Sequence, residues 1–405
     1  MRVLMVNAFH YLRGGVERTY FDESRWLEAA GHEVGHFAIR DPRNRPSPTS
    51  QWFAPPADFG EQAPAARQIA QLPRALWSAP AAAAMRGLLG AFRPDVAHVH
   101  APSRYLTPSV LRELERAGVP MVMTLHDFKP WCTNRVMFAR EAPCERCRGG
   151  RHIEAARVAC VQHSRAKSLV GAAEAYLHDR LGAYRAIRRW IAPSRFARDK
   201  VIEHGLAPER IRVLPHGLEP AAAPAPPAAE EPYALYAGRL SEEKGVRLLP
   251  AIALRLAPHR LVVAGGGPLA GWLERQASSL PNLELAGHLE GDAFTRRLAG
   301  AGAVVVPSLF YETFCYAAAE ALLAARPVVA SRIGAIPELV EHESTGLLVP
   351  PGDPHAAAEA ATRALTDPGA AAWGRAGRER VQVLGAPAAH VAGLGEIYRE
   401  AIGAG

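Results

Sequence analysis

Short apolar runs alternate along most of the chain with longer stretches in which apolar and polar residues are mixed. In the first half, five runs are typical of buried strands: "RVLMVNAF" (2–9), "HEVGHFAI" (32–39), "DVAHVHAP" (95–102), "VPMVMTLHDF" (119–128) and "RWIAPS" (189–194). The stretch "GGVERTYFDESRWLEAAG" begins and ends with glycine, as a capped helix does. Strands that alternate with helices favour a parallel sheet with helices on both faces.

The alternation stops at "PAAAPAPPAAEEP" (220–232), whose proline and alanine without periodicity are typical of a semi-rigid linker. It then restarts with "YALYAGRL", "HRLVVAGGGP", "LELAGHL", "AVVVPSL", "PVVAS" and "GLLVP". The pattern predicts an α/β protein with two doubly wound parallel-sheet domains, residues 1–219 and 233–385. The domains are expected to face each other across a cleft at the carboxyl ends of their strands, where such sheets bind ligands.

Composition changes this picture little. The chain has 405 residues, 49% of them hydrophobic, yet no run approaches the roughly 20 apolar residues of a membrane span. The N-terminal segment lacks a signal-peptide cleavage site, so we interpret it as a first strand and expect a cytoplasmic protein.

Charge is unevenly distributed. The first 219 residues contain 32 Lys and Arg against 21 Asp and Glu, and the remainder 15 against 19, so that +11 and −4 give the net +7. A basic half indicates a phosphate-bearing substrate, an anionic membrane surface or simply solvated faces. No nucleic-acid-binding motif accompanies the charge, so no nucleic acid is expected. The Arg-rich stretch 175–200 is either an ordinary helix and strand or a peripheral contact with the inner face of the cell membrane.

Two stretches of the second half carry candidate chemistry. In "YAGRLSEEKGV", Arg239 and Lys244 follow a strand in a glycine-containing loop, where two cations can neutralise a diphosphate. In "YETFCYAAAEALL", Glu312 lies just before an Ala-rich helix that we expect to begin near Thr313, and Glu320 lies two turns inside it. On such a helix the two carboxylates border one elongated ligand, whose middle lies against free helix N–H groups.

These motifs, with "VVAGGGP", "VVPSLFYETFCYAAAEALLAARPVVASRIGAIPELVEHESTGLLVPPGD" and the N-terminal "GGVERTYFDESRWLEAAGHEV", "TLHDF" and "VLPHGLE", resemble family-four glycosyltransferases. The resemblance spans nearly the whole chain in the right order. It implies the GT-B fold, which has two Rossmann-like domains, and a C-terminal helix (386–405) that returns to the first domain. It also implies retaining transfer of a hexose from a nucleotide sugar, of the UDP or GDP type, to a glycan or lipid-linked acceptor.

The resemblance also assigns roles to individual residues. Glu320 is expected to bind the ribose, Glu312 the donor sugar, and Arg239 and Lys244 the diphosphate, while His126 stabilises positive charge developing on the sugar. The catalytic set is therefore His126, Glu312, Arg239 and Lys244. The chain contains no D-x-D, so no divalent metal is expected in transfer. Further donor contacts are expected from glycines, from the backbone before the helix and from the loop near the base: Gly14, Gly15, Gly265, Gly266, His288, Thr313, Phe314 and Cys315.

Four of the five cysteines lie within one short segment: Cys132, Cys144, Cys147 and Cys160. Clustering of this kind in a cytosolic enzyme favours a metal over disulfides. Structural zinc is favoured, with an iron–sulfur cluster or plain reduced thiols as alternatives. Metal analysis of anaerobically purified protein tests this expectation. The segment follows "LHDF" directly and is expected to shape the acceptor pocket; a subset of the resembled family carries such an insertion.

The leading hypothesis is therefore a transferase of bacterial surface polysaccharide synthesis. Two alternatives stay open: an inactive, metal-containing sugar-binding or scaffold protein, and an isomerase or phosphorylase of the same fold. A dinucleotide oxidoreductase is disfavoured, because the first strand leads into "NAFHYLRGGVE" without G-x-G-x-x-G. His98 and His100 in "AHVH" are interpreted as structural or acceptor-side groups.

Overall fold

The computed structural model describes residues 1–56, 71–219 and 231–404. The strands are β1 (Arg2–Val6), β2 (Glu33–Phe37), β3 (Val96–Val99), β4 (Met121–Thr124), β5 (Phe138–Ala139), β6 (Ala142–Pro143), β7 (Ile187–Ala192), β8 (Ile211–Val213), β9 (Ala234–Ala237), β10 (Leu261–Ala264), β11 (Leu283–Gly287), β12 (Ala303–Val306), β13 (Val328–Ser331) and β14 (Gly346–Val349).

The helices of the first part of the chain connect its strands and cover them on both sides. They are Gly15–Ala29, Leu72–Leu76, Ala79–Phe92, Ser103–Leu106, Ser109–Arg116, Glu154–Val158, Arg165–Arg180 and Arg195–Glu203. Those of the second part are Leu249–Leu256, Ala270–Ala277, Gly291–Gly300, Tyr316–Leu323, Ile336–Leu339, Pro354–Thr366, Ala370–Leu384 and Pro387–Gly403.

Two six-stranded parallel sheets organise the molecule, which confirms the predicted fold class. The first has the order β2-β1-β3-β4-β7-β8 and the second β11-β10-β9-β12-β13-β14. Each order reverses once, between β1 and β3 and between β9 and β12. Loops at such a reversal diverge and leave a crevice at the carboxyl ends of the strands. The loops after β9 and β12 carry the motifs with Lys244 and Glu312.

The strands read as continuous apolar runs because helices cover both faces of each sheet. Val304 and Val305, neighbours on β12, point to opposite faces and belong to two separate core clusters, and both are buried. Every strand predicted from the sequence is present. Two features were not predicted from the sequence: β8, which is only three residues long, and the β5–β6 hairpin inside the cysteine segment.

The C-terminal helix Pro387–Gly403 packs on the first sheet, against β3, β4 and β7 and against the helix Gly15–Ala29. The chain therefore crosses from one domain to the other twice, once in each direction. The two crossings are adjacent at Leu218 and Gly385, because the Leu218 N–H donates to the Gly385 carbonyl at 2.7 Å. Most of the predicted linker, residues 220–230, lies outside the described residues, and the domain bounds stay a prediction.

The helix expected near Thr313 begins at Tyr316, so that expectation was wrong by three residues. Cys315, which precedes the helix, has a left-handed φ of 78°, and this conformation interrupts a right-handed helix. Thr313, Phe314 and Cys315 therefore form a loop ahead of the helix, and their N–H groups belong to that loop.

Candidate active site

The loops after β9 and β12 meet through an ion pair. Lys244 Nζ lies 2.8 Å from Glu312 Oε1, and the Ser308 hydroxyl donates to the same oxygen at 2.7 Å. Burial by itself would lower the pKa of Lys244, but the neighbouring Glu312 carboxylate leaves that pKa raised above its usual value. The Lys244 ammonium therefore stays charged at neutral pH. Two of the predicted catalytic residues, Lys244 and Glu312, are thus in direct contact.

Glycine allows this loop to approach β12 closely. Gly245 has φ 73°, and a Cβ added there would lie 1.9 Å from the Pro307 carbonyl oxygen. Gly265 and Gly267 serve the loop after β10 in the same way, because a Cβ on either would collide with the backbone of Gly238 or Leu240. The three loops are therefore stacked, backbone against backbone, around the crevice.

Arg239 and His288 lie on the exposed side of the crevice. The Arg239 side chain is exposed, and among the described residues it has no ion-pair partner. His288 is exposed and pairs with Glu290 at 2.9 Å. Gly266 is also exposed, and the nearest atom to an added Cβ is His288 Cβ at 4.0 Å. All three therefore face space that a ligand can enter.

The second predicted glutamate is bound from across the cleft. Glu320 forms an ion pair with Arg18 of the helix Gly15–Ala29. The Tyr316 hydroxyl contacts the Thr19 hydroxyl, and a Cβ on Gly15 would lie 2.8 Å from the Tyr316 ring. Gly15 is thus required by contact with the second domain, whereas an added Cβ on Gly14 would meet nothing within 4 Å.

His126 follows β4 at the edge of the same cleft. Its carbonyl accepts a hydrogen bond from the Thr313 hydroxyl at 3.2 Å, and Ser194 donates to the Thr313 carbonyl at 2.7 Å. Burial lowers the pKa of His126 to about 4, against the smaller raising effect of Glu23. The ring is therefore neutral at pH 7. Asp127 caps the following turn by accepting the Lys129 N–H at 2.9 Å.

Aromatic rings join His126 to the second domain. His126 stacks on His216 at 5.2 Å, and His216 stacks on Tyr316 at 5.4 Å. Phe314 packs edge-on against His216 and is buried, as is Cys315, whose thiol has its pKa raised to about 12 by burial and by Glu312. Cys315 is therefore a packed, neutral thiol.

The cysteine segment lies at the cleft. Glu145, between Cys144 and Cys147, accepts a hydrogen bond from the Tyr311 hydroxyl at 3.0 Å. Tyr311 directly precedes Glu312 in the chain. His163 lies 3.3 Å from Glu242, in the loop of Lys244. All four cysteines are free thiols, and within the described ranges no three of their sulfur atoms lie within 4.8 Å of one another. The predicted metal site is thus not confirmed and stays a prediction.

The structure brings His126, Lys244, Glu312, Thr313 and Glu320 to one cleft. Sequence reasoning did not single out several side chains that contact these residues directly or through one neighbour: Arg18, Thr19, Glu23, Ser194, His216, Ser308 and Tyr316. All seven lie in stretches quoted above, among them "GGVERTYFDESRWLEAAG" and "VLPHGLE", but no role was assigned to them. Most of their partners are far away in the chain, and no local pattern indicates such contacts.

Comparison with known families gives two matches. The model described as "Glycosyltransferase Family 4" matches residues 13–222, a little over half of the chain, and "Glycosyl transferases group 1" matches residues 231–367. An uncharacterized glycosyltransferase of Methanocaldococcus jannaschii is 35% identical over 146 residues. That alignment covers 35% of this chain and 36% of the relative, so it spans about a third of either protein.

Solved structures of similar fold extend over the whole chain. Sucrose-phosphate synthase from Thermosynechococcus elongatus has a TM-score of 0.70 and 22% identity, with 100% of both chains covered. Anabaena HepE in complex with UDP-glucose has a TM-score of 0.68 and 16% identity, with 98% of both covered. At these identities the likeness establishes the two-domain fold alone.

Proposed function

The chain belongs to glycosyltransferase family 4, and from this premise we propose that it transfers a hexose from a nucleotide sugar, with retention, to a glycan or lipid-linked acceptor. The observation that carries the proposal is the pairing of Lys244 with Glu312 at the strand-order reversal of the second sheet. It combines a cation for a diphosphate with a carboxylate for sugar hydroxyls. HepE, similar in fold, was solved with UDP-glucose, and a mannosyltransferase of Mycobacterium tuberculosis, 36% identical over 115 residues, is named as GDP-mannose-dependent, so the donor is proposed to be of the UDP or GDP type.

In the proposed complex, the diphosphate lies between the Lys244 loop and the N–H groups of residues 313–315. Lys244 and the exposed Arg239 stabilise the negative charge that develops on the leaving nucleotide. The acceptor hydroxyl attacks on the face from which the nucleotide departs, and the departing phosphate takes the hydroxyl proton. The neutral His126 faces the sugar, where its ring stabilises developing positive charge. Surface polysaccharide assembly is the setting that we propose for this reaction.

A thermal-shift screen tests the donor site. UDP, GDP, ADP, their sugar conjugates and NAD are compared on the wild type and on Glu320→Ala. A ligand at 100 times its dissociation constant should stabilise the protein by about 2.7 kcal/mol, and Glu320→Ala should abolish the shift. Arg18→Ala is the matched control, because it also removes the Arg18–Glu320 ion pair but leaves the carboxylate for the ribose.

A selective shift in the wild type and in Arg18→Ala, absent from Glu320→Ala, supports the proposed donor site. Absence of any shift in folded wild-type protein contradicts it and favours the inactive sugar-binding or scaffold protein. With the donor known, NMR of the transfer product assigns its anomer, and an inverted anomer refutes retention.

Contact with an anionic membrane is a further part of the proposal. None of the described helices is both long and apolar enough to cross a bilayer. Yet the helix Arg165–Arg180 exposes Leu169, Val170 and Tyr176 together with Arg165, Lys167 and Arg180. Exposed apolar and basic side chains on one helix are typical of an interfacial contact. The sequence analysis considered residues 175–200 for this contact, but 187–192 form the internal strand β7. We therefore propose that the membrane contact is made by the helix Arg165–Arg180.

Leu169→Ser/Val170→Ser is expected to weaken sedimentation with vesicles containing phosphatidylserine about tenfold or more, because two exposed aliphatic side chains no longer enter the bilayer. The matched control is Val383→Ser/Leu384→Ser, a second exposed apolar pair on the helix Ala370–Leu384. Equal loss in both variants, or wild-type binding that salt does not weaken, would rule this surface out.

A further inference from the structure

A buried carboxylate lies beneath His126. Glu23, on the helix Gly15–Ala29, has 1% of its surface exposed. Its Oε1 accepts a hydrogen bond from His390 Nε2 at 2.9 Å. Its Oε2 lies 3.5 Å from His98 Nδ1 and 3.4 Å from His100 Nε2. Three histidines thus surround one carboxylate inside the first domain.

A chain of contacts leads from this carboxylate to the cleft. His100 Nε2 faces Glu23, and His100 Nδ1 lies 2.9 Å from His126 Nε2. His100 is fully buried, whereas His126 is only partly buried and contacts the Thr313 loop. The His126 ring also packs against the rings of His100 and His216, with a distance of 5.2 Å between ring centroids in each pair. Glu23 therefore reaches the cleft through one intermediate ring.

The chemistry of these groups determines which ring nitrogens carry a hydrogen atom. An ionised carboxylate offers only lone pairs, so the hydrogen of His100 lies on Nε2, which is 3.4 Å from Glu23 Oε2 in an electrostatic contact, and Nδ1 keeps its lone pair. That lone pair accepts the Nε2–H of His126, whose own Nδ1 is then left with a lone pair. The neighbouring histidines hold the pKa of Glu23 below its usual value despite burial, which keeps the carboxylate ionised.

A metal ion is the other occupant to consider, because Glu23, His98 and His100 each place a ligand atom within 4.8 Å of the others. However, the Tyr398 hydroxyl lies 2.8 Å from His98 Nδ1 and already engages it. Among these side chains, two atoms lack a hydrogen-bond partner and face each other, Glu23 Oε2 and His100 Nε2. Only these two atoms of the cluster are free to ligate a metal, and zinc sites have three or four protein ligands. The hydrogen bonds of His98, His126 and His390, with the electrostatic contact between His100 and Glu23, therefore account for the cluster better than a metal does.

We propose that Glu23 is a positioning residue for His126: acting through His100, it holds the His126 ring in the Nε2–H tautomer and leaves the Nδ1 lone pair for the donor sugar. The carboxylate also places a negative charge behind the ring, on the side away from the substrate. As positive charge develops on the sugar, this arrangement stabilises it without moving a proton. The catalytic part of the inference rests on the proposed function, whereas the tautomer does not.

The first test uses the substrate-free protein labelled with ¹⁵N-histidine. In the wild type, His126 is expected to show a pyridine-type Nδ1 and a pyrrole-type Nε2, with His126→Gln providing the assignment. Glu23→Gln should change this pattern, because the glutamine amide can donate to His100 Nε2 and reverse its tautomer. Glu113→Gln is the matched control: Glu113 is a buried carboxylate of the same domain, but its partners are Arg86 and Arg116. An unchanged His126 pattern in Glu23→Gln overturns the proposal.

The second test measures transfer. Glu23→Gln is expected to lower kcat about 10- to 100-fold with the donor KM nearly unchanged. This loss is smaller than for a wrong tautomer in a proton-transferring base, because His126 moves no proton. A kcat equal to that of Glu113→Gln, or a loss confined to KM, contradicts the proposal.

Further results would also test the role proposed for Glu23. If Glu23→Gln does not fold, His100→Asn, with His178→Asn as its buried control, breaks the same chain and should give the same tautomer change. A stoichiometric metal in the wild type that Glu23→Gln loses would replace the relay with a metal site. If the wild type shows no transfer, the proposed function fails, and the NMR result still decides the tautomer.

Discussion

Lys244→Met is expected to lower the transfer rate by about 100- to 1000-fold, the usual loss when one preorganised group that stabilises developing charge is removed. Lys244 is the cation held in the crevice by Glu312, at 2.8 Å, and its ammonium stays charged. Methionine keeps much of the length and apolar surface of the side chain but removes the charge. The loss should therefore appear in kcat, with weaker nucleotide binding in addition.

The matched control is Arg247→Met. Arg247 lies three residues further along, pairs with Glu242 at 2.8 Å and is exposed. It should keep nearly wild-type activity, because a surface ion pair contributes about 0–1 kcal/mol and this one lies outside the crevice. A loss below tenfold in Lys244→Met, or a similar loss in Arg247→Met, would contradict the role given to Lys244.

Stability must be separated from catalysis in this variant. Among the residues that the structure describes, Lys244→Met leaves the Glu312 carboxylate, 5% exposed, with Ser308 alone as a hydrogen-bonding side chain. An unpaired buried acceptor costs about 1–3 kcal/mol, and more when it is charged. Lys244→Met/Glu312→Gln should recover most of that stability, measured by urea unfolding, while activity stays low. Activity of all variants is compared well below their unfolding temperatures.

The protein is expected to lose several kcal/mol of unfolding free energy as the pH falls from 6.5 to about 4. Burial lowers the pKa of His98 to about 4, and burial, with His10 nearby, lowers that of His36 to about 3. Below pH 6.5 these residues take up protons in the unfolded chain but not in the folded one. Protonation therefore favours unfolding throughout that window, and for His98 the full effect is about 3 kcal/mol.

Other groups do not reverse this direction. Glu23 has a lowered pKa, despite the raising effect of burial, because of His98 and His390, so its contribution is also lost as the pH falls. His152 behaves oppositely: burial would lower its pKa, but Asp179 and Cys147 raise it to about 9. His152 is therefore protonated in both states between pH 4 and 6.5, and its stabilising effect is lost only as the pH rises toward 9.

Urea unfolding at a series of pH values measures this dependence. His36→Gln should flatten the slope between pH 6.5 and 4, because it removes one site that only the unfolded chain protonates. His355→Gln, at an exposed position on the helix Pro354–Thr366, should keep the wild-type slope. Stability that is constant across the window would show that the buried histidines do not have lowered pKa values.

The sequence by itself determined the fold class and the position of the main motifs. Strands covered on both faces are apolar throughout, so each strand of four to six residues is visible as a run, and the helix Gly15–Ala29 is bounded by glycine in the sequence. The loops with Lys244 and Glu312 each follow such a strand, so the sequence also predicts that they lie at the carboxyl ends of the sheet. These features are local, or follow from chain order, and a single sequence contains them.

Only the tertiary structure decided which distant side chains meet. Arg18 pairs with Glu320, Thr19 contacts Tyr316, and Glu23 is bonded to His390 at the opposite end of the chain. The helix start at Tyr316 likewise depends on the left-handed Cys315, which local propensity did not indicate. Hydrophobic periodicity states which face of an element is buried but not which element covers it. For that physical reason, the cleft contacts and the carboxylate behind His126 became visible only when the two sheets and the C-terminal helix were packed together.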